Sequence, residues 1–297
     1  MAALALTGAY TALVTPFLTD GSEVDWAAFE RHVAAQLQGG ISGLVPCGTT
    51  GETPTLSHAE QHEVIQRCVR LVKGRVPVIA GTGTNDTKAT IGASRAALEA
   101  GADAVMIVMP YYNKPSQEGL VRHVELVAKA VSCPVILYNI PGRTAVELSV
   151  ESTLRILDSS PNVIAIKDAT GNIAYCQELL RRAEERVTVL SGDDPLTLAL
   201  MSLGARGVIS VTSNLYPRQV GAVVADILDG RWNEALRKHR ALLPVHRGLF
   251  LEPNPQPVKA ALALRGLMSP AVRPPLVEAS SDCVEKLRAV IQAYEAS

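Results

Sequence analysis

The sequence predicts a (β/α)8 barrel, or TIM barrel, followed by a C-terminal helical extension. Eight short apolar runs recur along the chain, segments with helical periodicity separate them, and after residue 214 only helical segments follow. The spacing of about 20 to 35 residues between runs suits right-handed strand–helix–strand crossovers. A doubly wound open sheet is the alternative, but the chain lacks its six-strand count and a complete G-x-G-x-x-G motif.

The eight apolar runs are the predicted strands. Continuous apolar runs of this length are typical of parallel strands that are covered on both faces. They are Ala9–Val14, Gly43–Pro46, Pro77–Ala80, Ala104–Val108, Pro134–Tyr138, Val163–Ile166, Val187–Leu190 and Val208–Val211.

Apolar residues spaced by three or four positions predict the helices, several of which follow an Asp or Ser in the N-cap position. We expect a barrel over residues 1–225 that carries the active site, and a helical domain over residues 226–297. The predicted helices include Trp26–Leu37, His58–Val72, Lys88–Ala100, Glu118–Ala130, Ser149–Leu157, Ile173–Arg186, Pro217–Leu228, Asn233–Leu243, Pro257–Leu264 and Ser280–Tyr294.

Composition limits the kind of partner. The chain has 297 residues, 47% of them hydrophobic, which is enough for a large core without a metal or disulfide. Its 28 basic and 29 acidic residues nearly balance, so nucleic acid and membrane surfaces are not expected partners and small molecules are. Five scattered cysteines without a C-x-x-C pair, and no apolar run of ~18 residues, indicate a cytoplasmic protein with reduced thiols.

In a barrel, chemistry is expected where strands end, and one lysine stands there. Lys167 ends the run Val163–Ile166, whereas the other seven lysines lie in helical or loop segments where a hydrated ammonium costs little. Loss of solvation there is expected to lower the lysine pKa and leave more free amine, as a Schiff-base lysine requires. The alternative is that Lys167 reaches solvent or pairs with Asp168.

Other strand ends carry hydroxyls, glycines and one arginine. The loop Gly48-Thr49-Thr50-Gly51-Glu52 follows a strand, so its N–H groups and hydroxyls are suited to bind a carboxylate; the alternative is a glycine-rich turn with threonine caps. Tyr138 ends another strand and is suited to relay protons, and Arg143 is suited to hold a substrate carboxylate. The alternatives are a core tyrosine and a solvated arginine.

Two further patterns are weak. His58 and His62 stand at i, i+4 on one helix face, but the glutamate is misplaced for H-E-x-x-H and no third ligand is evident, so no metal is expected. Gly81-x-Gly83-x-x-Asp86 lacks the last glycine of a dinucleotide motif.

Three of these motifs together resemble the dihydrodipicolinate synthase (4-hydroxy-tetrahydrodipicolinate synthase) family. They are the Gly-Thr-Thr-Gly-Glu loop, Tyr138-Asn139-Ile140-Pro141-x-Arg143-Thr144, and Lys167 followed by Ala169-Thr170-Gly171-Asn172. The resemblance spans essentially the whole chain. The wider superfamily of pyruvate-dependent class I aldolases also contains N-acetylneuraminate lyase and 2-oxo-acid aldolases, all of them (β/α)8 barrels.

The resemblance implies a lyase without a cofactor that joins pyruvate to L-aspartate 4-semialdehyde through a Schiff base on lysine. The product, 4-hydroxy-tetrahydrodipicolinate, is formed in the first committed step of lysine and diaminopimelate biosynthesis. Two alternatives stay open: another pyruvate-forming or pyruvate-using aldolase, such as N-acetylneuraminate lyase or a 2-oxo-sugar-acid aldolase, and a binding module that forms no adduct.

The resemblance also implies roles for individual residues. Tyr112 is expected to reach the site of a neighbouring subunit, which implies a homo-oligomer, expected to be a tetramer of two dimers. The expected catalytic residues are Lys167, Tyr138, Thr50 and Tyr112, and the expected substrate-binding residues are Thr49 and Thr50 for the pyruvate carboxylate, Arg143 for the aldehyde's carboxylate, and Gly192 and Ile209 at the pyruvate end.

Many synthases of this family bind lysine as an inhibitor, and the matching residues here are His58, Asn85 and Tyr111. The family's acidic residue is missing, since Ala89 stands at its position. We therefore expect weak or absent inhibition by lysine, unless Asp86 replaces the missing charge.

Overall fold

The computed structural model describes residues 4–296 and contains an eight-stranded parallel sheet in a nearly closed barrel. The strands lie in the order β2-β1-β8-β7-β6-β5-β4-β3, and a parallel bridge between Leu44 and Val78 links the two ends. The predicted barrel and its eight strands are confirmed. The strands are β1 Gly8–Ala12, β2 Gly43–Val45, β3 Ile79–Gly81, β4 Ala104–Val108, β5 Val135–Asn139, β6 Val163–Asp168, β7 Thr188–Ser191 and β8 Gly207–Ser210.

Helices connect successive strands, and side-chain caps begin several of them, as Ser57 and Glu60 do in a capping box at α2. Two short helices, α5 and α8, were not predicted because four and six residues show no clear period. The helices are α1 Trp26–Gln38, α2 His58–Val72, α3 Thr87–Glu99, α4 Gln117–Ala130, α5 Pro141–Thr144, α6 Val150–Ser159, α7 Ile173–Ala183, α8 Thr197–Ser202, α9 Pro217–Leu228, α10 Trp232–Gly248, α11 Gln256–Leu264 and α12 Ser281–Glu295.

The core has two layers, as expected for strands whose side chains alternate between faces. One layer fills the barrel and includes Tyr10, Ile79, Met106 and Ile209. The larger layer lies between the strands and the surrounding helices. Strand residues that end the inner layer at the carboxyl end of the barrel therefore face the opening where the loops meet.

The C-terminal helices pack on the barrel and on each other, with α10 against α9 and α12. Residues 225 and 226 both lie within α9, and the division of the chain after residue 225 stays a prediction. The outermost residues of the two expected regions, 1–3 and 297, lie outside the described residues. Within residues 4–296, no helix combines the length and apolar character needed to cross a membrane.

One lysine that the sequence suggested to be hydrated is buried. Lys259 on α11 is 0% exposed and forms an ion pair with Glu52 of the Gly-Thr-Thr-Gly-Glu loop. Its Nζ also donates to the carbonyl of Ala271, at 2.9 Å, and lies 4.0 Å from the centroid of the Phe17 ring. Burial lowers the pKa of Lys259 to about 8, although Glu52 acts in the opposite direction. The expectation was wrong because the partner lies about 200 positions away in sequence.

Candidate active site

Lys167 lies near the end of β6, inside the barrel, and is 5% exposed. Its partner on β5 is Tyr138, and the Lys167 Nζ lies 4.3 Å from the centroid of the Tyr138 ring. Among the described residues no ion pair includes Lys167, and the Oδ1 of Asp168 accepts hydrogen bonds from the backbone N–H and the hydroxyl of Thr170. Neither alternative for Lys167, solvent or Asp168, describes its surroundings.

An irregularity in β6 sets this pairing. Val135 pairs with Val163, but the register then shifts so that Ile136 pairs with Ala165. Without that shift of one residue, Ile166 and not Lys167 would stand opposite Tyr138, because strand side chains alternate between faces. The shift therefore brings the amine and the phenol to the same face.

Gly192 directly follows β7, at the same end of the barrel as Lys167, and Ile209 lies within the barrel. A Cβ added to Gly192 would come within 3.1 Å of the Lys167 Cε and 2.7 Å of the Ala169 Cβ. A side chain at position 192 would therefore clash with Ala169 and crowd the Lys167 side chain. Ile209 is buried in the inner layer of the barrel on β8, together with Tyr138 and Leu190.

The Gly-Thr-Thr-Gly-Glu loop is a tight turn rather than an open set of donors. The N–H groups of Gly51 and Glu52 donate to the carbonyls of Gly48 and Thr49, so they are used within the turn. The N–H groups of Thr49 and Thr50 donate to no atom of the described residues. The expected set of carboxylate-binding donors in this loop is therefore narrower than the sequence suggested, and is centred on the two threonines.

A cavity of about 480 Å³ opens beside this loop and is lined by Thr49, Tyr111, Tyr138 and Arg143, among other residues. Arg143 lies on α5, just after β5, and is exposed. One of its nitrogens, Nη2, donates to the carbonyl of Asn254 at 3.2 Å. The remaining guanidinium donors are left for a carboxylate.

The two neighbouring tyrosines of the loop after β4 face different surroundings. Tyr111 lines the cavity, whereas Tyr112 has a positive φ of 72° and is 89% exposed. A non-glycine residue in this region of φ is uncommon. Tyr112 is not among the residues that line the cavity of its own chain, and its expected place in the site of a neighbouring subunit stays a prediction.

The residues of the expected lysine site are divided. His58 and Tyr111 line the cavity of about 480 Å³, while His58 and Ala89 line a neighbouring cavity of about 290 Å³ between α2 and α3. The backbone carbonyl of Asn85 accepts a hydrogen bond from Asn113. Asp86 caps α3, with its Oδ1 accepting a hydrogen bond from the N–H of Lys88.

Two carboxyl groups near Lys167 lack full hydrogen bonding. Burial raises the pKa of Asp168 and of Asp193, and the nearby charge of Asp194 raises that of Asp193 further. One oxygen of each has no hydrogen-bond partner among the described residues. Within residues 4–296 no group of three or more His, Cys, Asp or Glu side chains is arranged to hold a metal ion.

Sequence reasoning missed Asn254, which lies between α10 and α11 and contacts both Thr50 and Arg143. The only local signal is the spacing of prolines at positions 253, 255 and 257, which indicates a turn but no role.

Comparison with known proteins decides the family. The model of the dihydrodipicolinate synthetase family matches residues 5–294. The chain belongs to this family. A 4-hydroxy-tetrahydrodipicolinate synthase of Sorangium cellulosum is 59% identical over 296 residues, covering 100% of this chain and 98% of that protein. The resemblance inferred from the motifs is thus confirmed, and the activity predicted from it is the one for which this relative is named.

Solved structures of the family agree with the fold. The chloride-inhibited dihydrodipicolinate synthase of Acinetobacter baumannii, complexed with pyruvate, is 41% identical with a TM-score of 0.96 and covers 98% of this chain and 99% of that one. The enzyme of Cyanidioschyzon merolae with lysine bound is 36% identical with a TM-score of 0.95, over 98% of this chain and 99% of that one. Both likenesses extend over nearly the whole barrel and the C-terminal helices.

Proposed function

We propose that this enzyme is a lyase that condenses pyruvate with L-aspartate 4-semialdehyde to 4-hydroxy-tetrahydrodipicolinate, through a Schiff base on Lys167. Membership of the dihydrodipicolinate synthetase family and 59% identity with a synthase of that name support the reaction. It is the first committed step of lysine and diaminopimelate biosynthesis, and it needs no cofactor because the lysine itself carries the substrate.

The observation that carries the mechanism is the pairing of Lys167 with Tyr138, a residue that lines the cavity of about 480 Å³. The amine is buried, lies over the tyrosine ring, and has no carboxylate bound to it in the described residues. Tyr138 contacts the amine and also lines the cavity. A phenol in this position is suited to move protons during addition to a carbonyl and loss of water.

In the first stage, the unpaired N–H groups of Thr49 and Thr50 bind the pyruvate carboxylate. The Lys167 nitrogen attacks the ketone carbon, and the carbinolamine loses water to give the imine. Tyr138 and Thr50 carry the protons that the nitrogen loses and the departing oxygen gains. The imine then loses a methyl proton to Tyr138 and becomes an enamine, and Tyr138 later gives this proton to the aldehyde oxygen, which becomes the hydroxyl of the product.

In the second stage, Arg143 holds the carboxylate of the semialdehyde while the enamine carbon attacks its aldehyde. The planar guanidinium suits a carboxylate better than a lysine would, because it offers two parallel hydrogen bonds. The amino group of the semialdehyde next attacks the imine carbon. The bond to Lys167 breaks as the ring closes, which returns the free lysine.

The reaction is carried out by an oligomer, at least a dimer and by resemblance a tetramer of two dimers. Tyr112 supports this arrangement, because it is 89% exposed and is not among the residues that line the cavity of its own chain. In a dimer it completes the proton relay of the neighbouring subunit. The expected location of the enzyme is the cytoplasm.

The test is a comparison of substrates. The purified protein is assayed for condensation of pyruvate with aspartate 4-semialdehyde, and for cleavage of N-acetylneuraminate and of 2-oxo-sugar acids. We expect condensation with a kcat/KM at least about 100-fold above that of any cleavage reaction, because only the acidic aldehyde engages Arg143. A higher kcat/KM for cleavage would assign the chain to another aldolase activity.

A further inference from the structure

Asn254 joins two parts of the site from outside the barrel. Its side-chain Nδ2 donates to the Thr50 Oγ1 at 3.0 Å, and its backbone carbonyl accepts from the Arg143 Nη2 at 3.2 Å. These two residues belong to different loops, after β2 and β5. Asn254 is 5% exposed and its hydrogen bond to Thr50 is buried, whereas the one from the exposed Arg143 is partly buried.

The Asn254 side chain does not serve to hold its own segment together. Its single hydrogen bond among the described residues is the one to Thr50, and its Oδ1 is buried without a partner. Asn139 shows the contrasting case, because its amide binds both the N–H and the carbonyl of Leu148. Buried polar atoms are normally hydrogen-bonded. The Asn254 amide forms only one hydrogen bond, through Nδ2 to Thr50 of the site, which points to a functional constraint at this position.

The contact determines what the Thr50 hydroxyl is able to do. The Thr50 Oγ1 accepts a hydrogen bond from the Asn254 amide, and the Thr50 O–H donates to no atom of the described residues. The hydroxyl proton is therefore left for a reactant. Without the hydrogen bond from Asn254, the Thr50 hydroxyl would rotate freely and spend less time in the reactive orientation.

A buried anchor fixes the position of Asn254. Five residues further on, Lys259 pairs with Glu52, and Glu52 also accepts from the N–H of Arg273 at 3.0 Å. The loop that carries Thr50 and the segment that carries Asn254 are thus joined at two separate points. The hydrogen bond from Asn254 to Thr50 and the ion pair of Lys259 with Glu52 together fix the position of the Asn254 amide relative to the Thr50 hydroxyl.

We propose that Asn254 is a positioning residue, which directs the Thr50 hydroxyl toward the reacting atoms and holds Arg143 beside it. By this arrangement one residue of the C-terminal region aligns the proton relay with the site for the second substrate. The inference rests on the proposed function and adds a residue to it that acts through Thr50 and Arg143.

The test compares Asn254→Ala and Asn254→Asp with a matched control, Asn162→Asp. The Asn162 amide donates to the carbonyls of Ala128 and Cys133, at the amino end of β6 and away from the site. We expect Asn254→Ala to slow both imine formation and kcat on the order of 10- to 100-fold, because alignment of a relay group is lost. The Asn162 variant should keep both within about twofold.

The pH profile separates positioning from a structural effect. An ionised carboxylate at position 254 accepts a hydrogen bond from the Thr50 hydroxyl, so the hydroxyl proton no longer points toward the reactant. A protonated carboxyl instead donates a hydrogen bond to Thr50, as the amide does. The kcat/KM of Asn254→Asp, divided by that of the wild type, should therefore rise as the pH falls. The same ratio for Asn162→Asp should stay flat. This profile also decides the case in which Asn254→Ala does not fold.

A double-mutant cycle gives the final arm. In a Thr50→Val background, Asn254→Ala should slow imine formation by less than about twofold, because the hydroxyl it acts on is gone. Equal losses in both backgrounds, or a wild-type rate and pH profile in the single variants, would overturn the role of Asn254. Failure of wild-type protein to form a pyruvate adduct would instead overturn the proposed function, so the two failures are distinguishable.

Discussion

Lys167 and Tyr138 are direct partners across β5 and β6, with the Lys167 nitrogen 4.3 Å from the centre of the tyrosine ring. The ring limits the positions available to the long lysine side chain. Gly192 leaves the space in which the side chain lies. The buried amine is thus held in a defined position before any substrate arrives, which is the condition for fast attack on a carbonyl.

Arg143→Ala should impair the second half-reaction and spare the first. Loss of the guanidinium removes charge-assisted hydrogen bonds to the semialdehyde carboxylate. The fall in kcat/KM for that substrate should correspond to a loss of about 2–4 kcal/mol in transition-state stabilisation. The rate of imine formation with pyruvate should stay close to that of the wild type. Arg155→Ala is the control, because Arg155 forms only an exposed pair with Glu118. Normal condensation by the Arg143 variant would indicate a different aldolase.

Tyr112→Phe should lower activity without unfolding the protein, since the side chain is 89% exposed in the single chain. Mixing it with an inactive Lys167→Ala variant should restore turnover if subunits exchange. A site built from Lys167 of one chain and Tyr112 of the other is then complete. With random exchange of a two-fold symmetric dimer, about a quarter of the wild-type activity is expected. A fully active monomer in light scattering would contradict this account.

Free lysine should bind weakly and inhibit little. Ala89, which lines a cavity together with His58, stands where the resemblance to the family leads us to expect an acidic residue, and Asp86 caps α3. A bound ammonium without a carboxylate partner costs about 3–5 kcal/mol, or roughly two to three decades in affinity. Calorimetric titration of the wild type and of Ala89→Glu measures this difference. Sub-millimolar binding by the wild type would show that another acid compensates.

Lys259→Met should destabilise the fold, because it leaves the buried Glu52 carboxylate without its partner. Removal of one member of a buried pair typically costs about 3–5 kcal/mol, while replacement of both members costs much less. Denaturant unfolding of Lys259→Met, and of the double variant with Glu52→Gln, checks both statements. Lys286→Met is the control, since that exposed lysine pairs only with Asp282 and should cost below about 1 kcal/mol. Wild-type stability of the Lys259 variant would contradict the assigned role of the pair.

Local patterns in the sequence were sufficient for the barrel. Apolar runs mark the strands because parallel strands are buried on both faces, and Lys167 stands out because it ends one of them. The shift in β6 that turns Lys167 toward Tyr138 leaves no comparable signal, since Ile164 and Ile166 are equally apolar.

Contacts between distant segments were not predicted. Asn254 meets Thr50 across 204 positions, and Lys259 meets Glu52 across a similar distance. Nothing in either segment alone indicates the other. The sequence indicates the buried charge only by placing Lys259 within the apolar helix Gln256–Leu264.

The most direct test of the central claim is covalent trapping of pyruvate. The wild-type protein is incubated with pyruvate and borohydride, digested and measured by mass spectrometry, with Lys167→Ala as the control. We expect one reduced pyruvyl group on the peptide that carries Lys167, and none in the variant. An adduct on another lysine, such as Lys259, or no adduct at all, would contradict the assignment of Lys167 as the nucleophile.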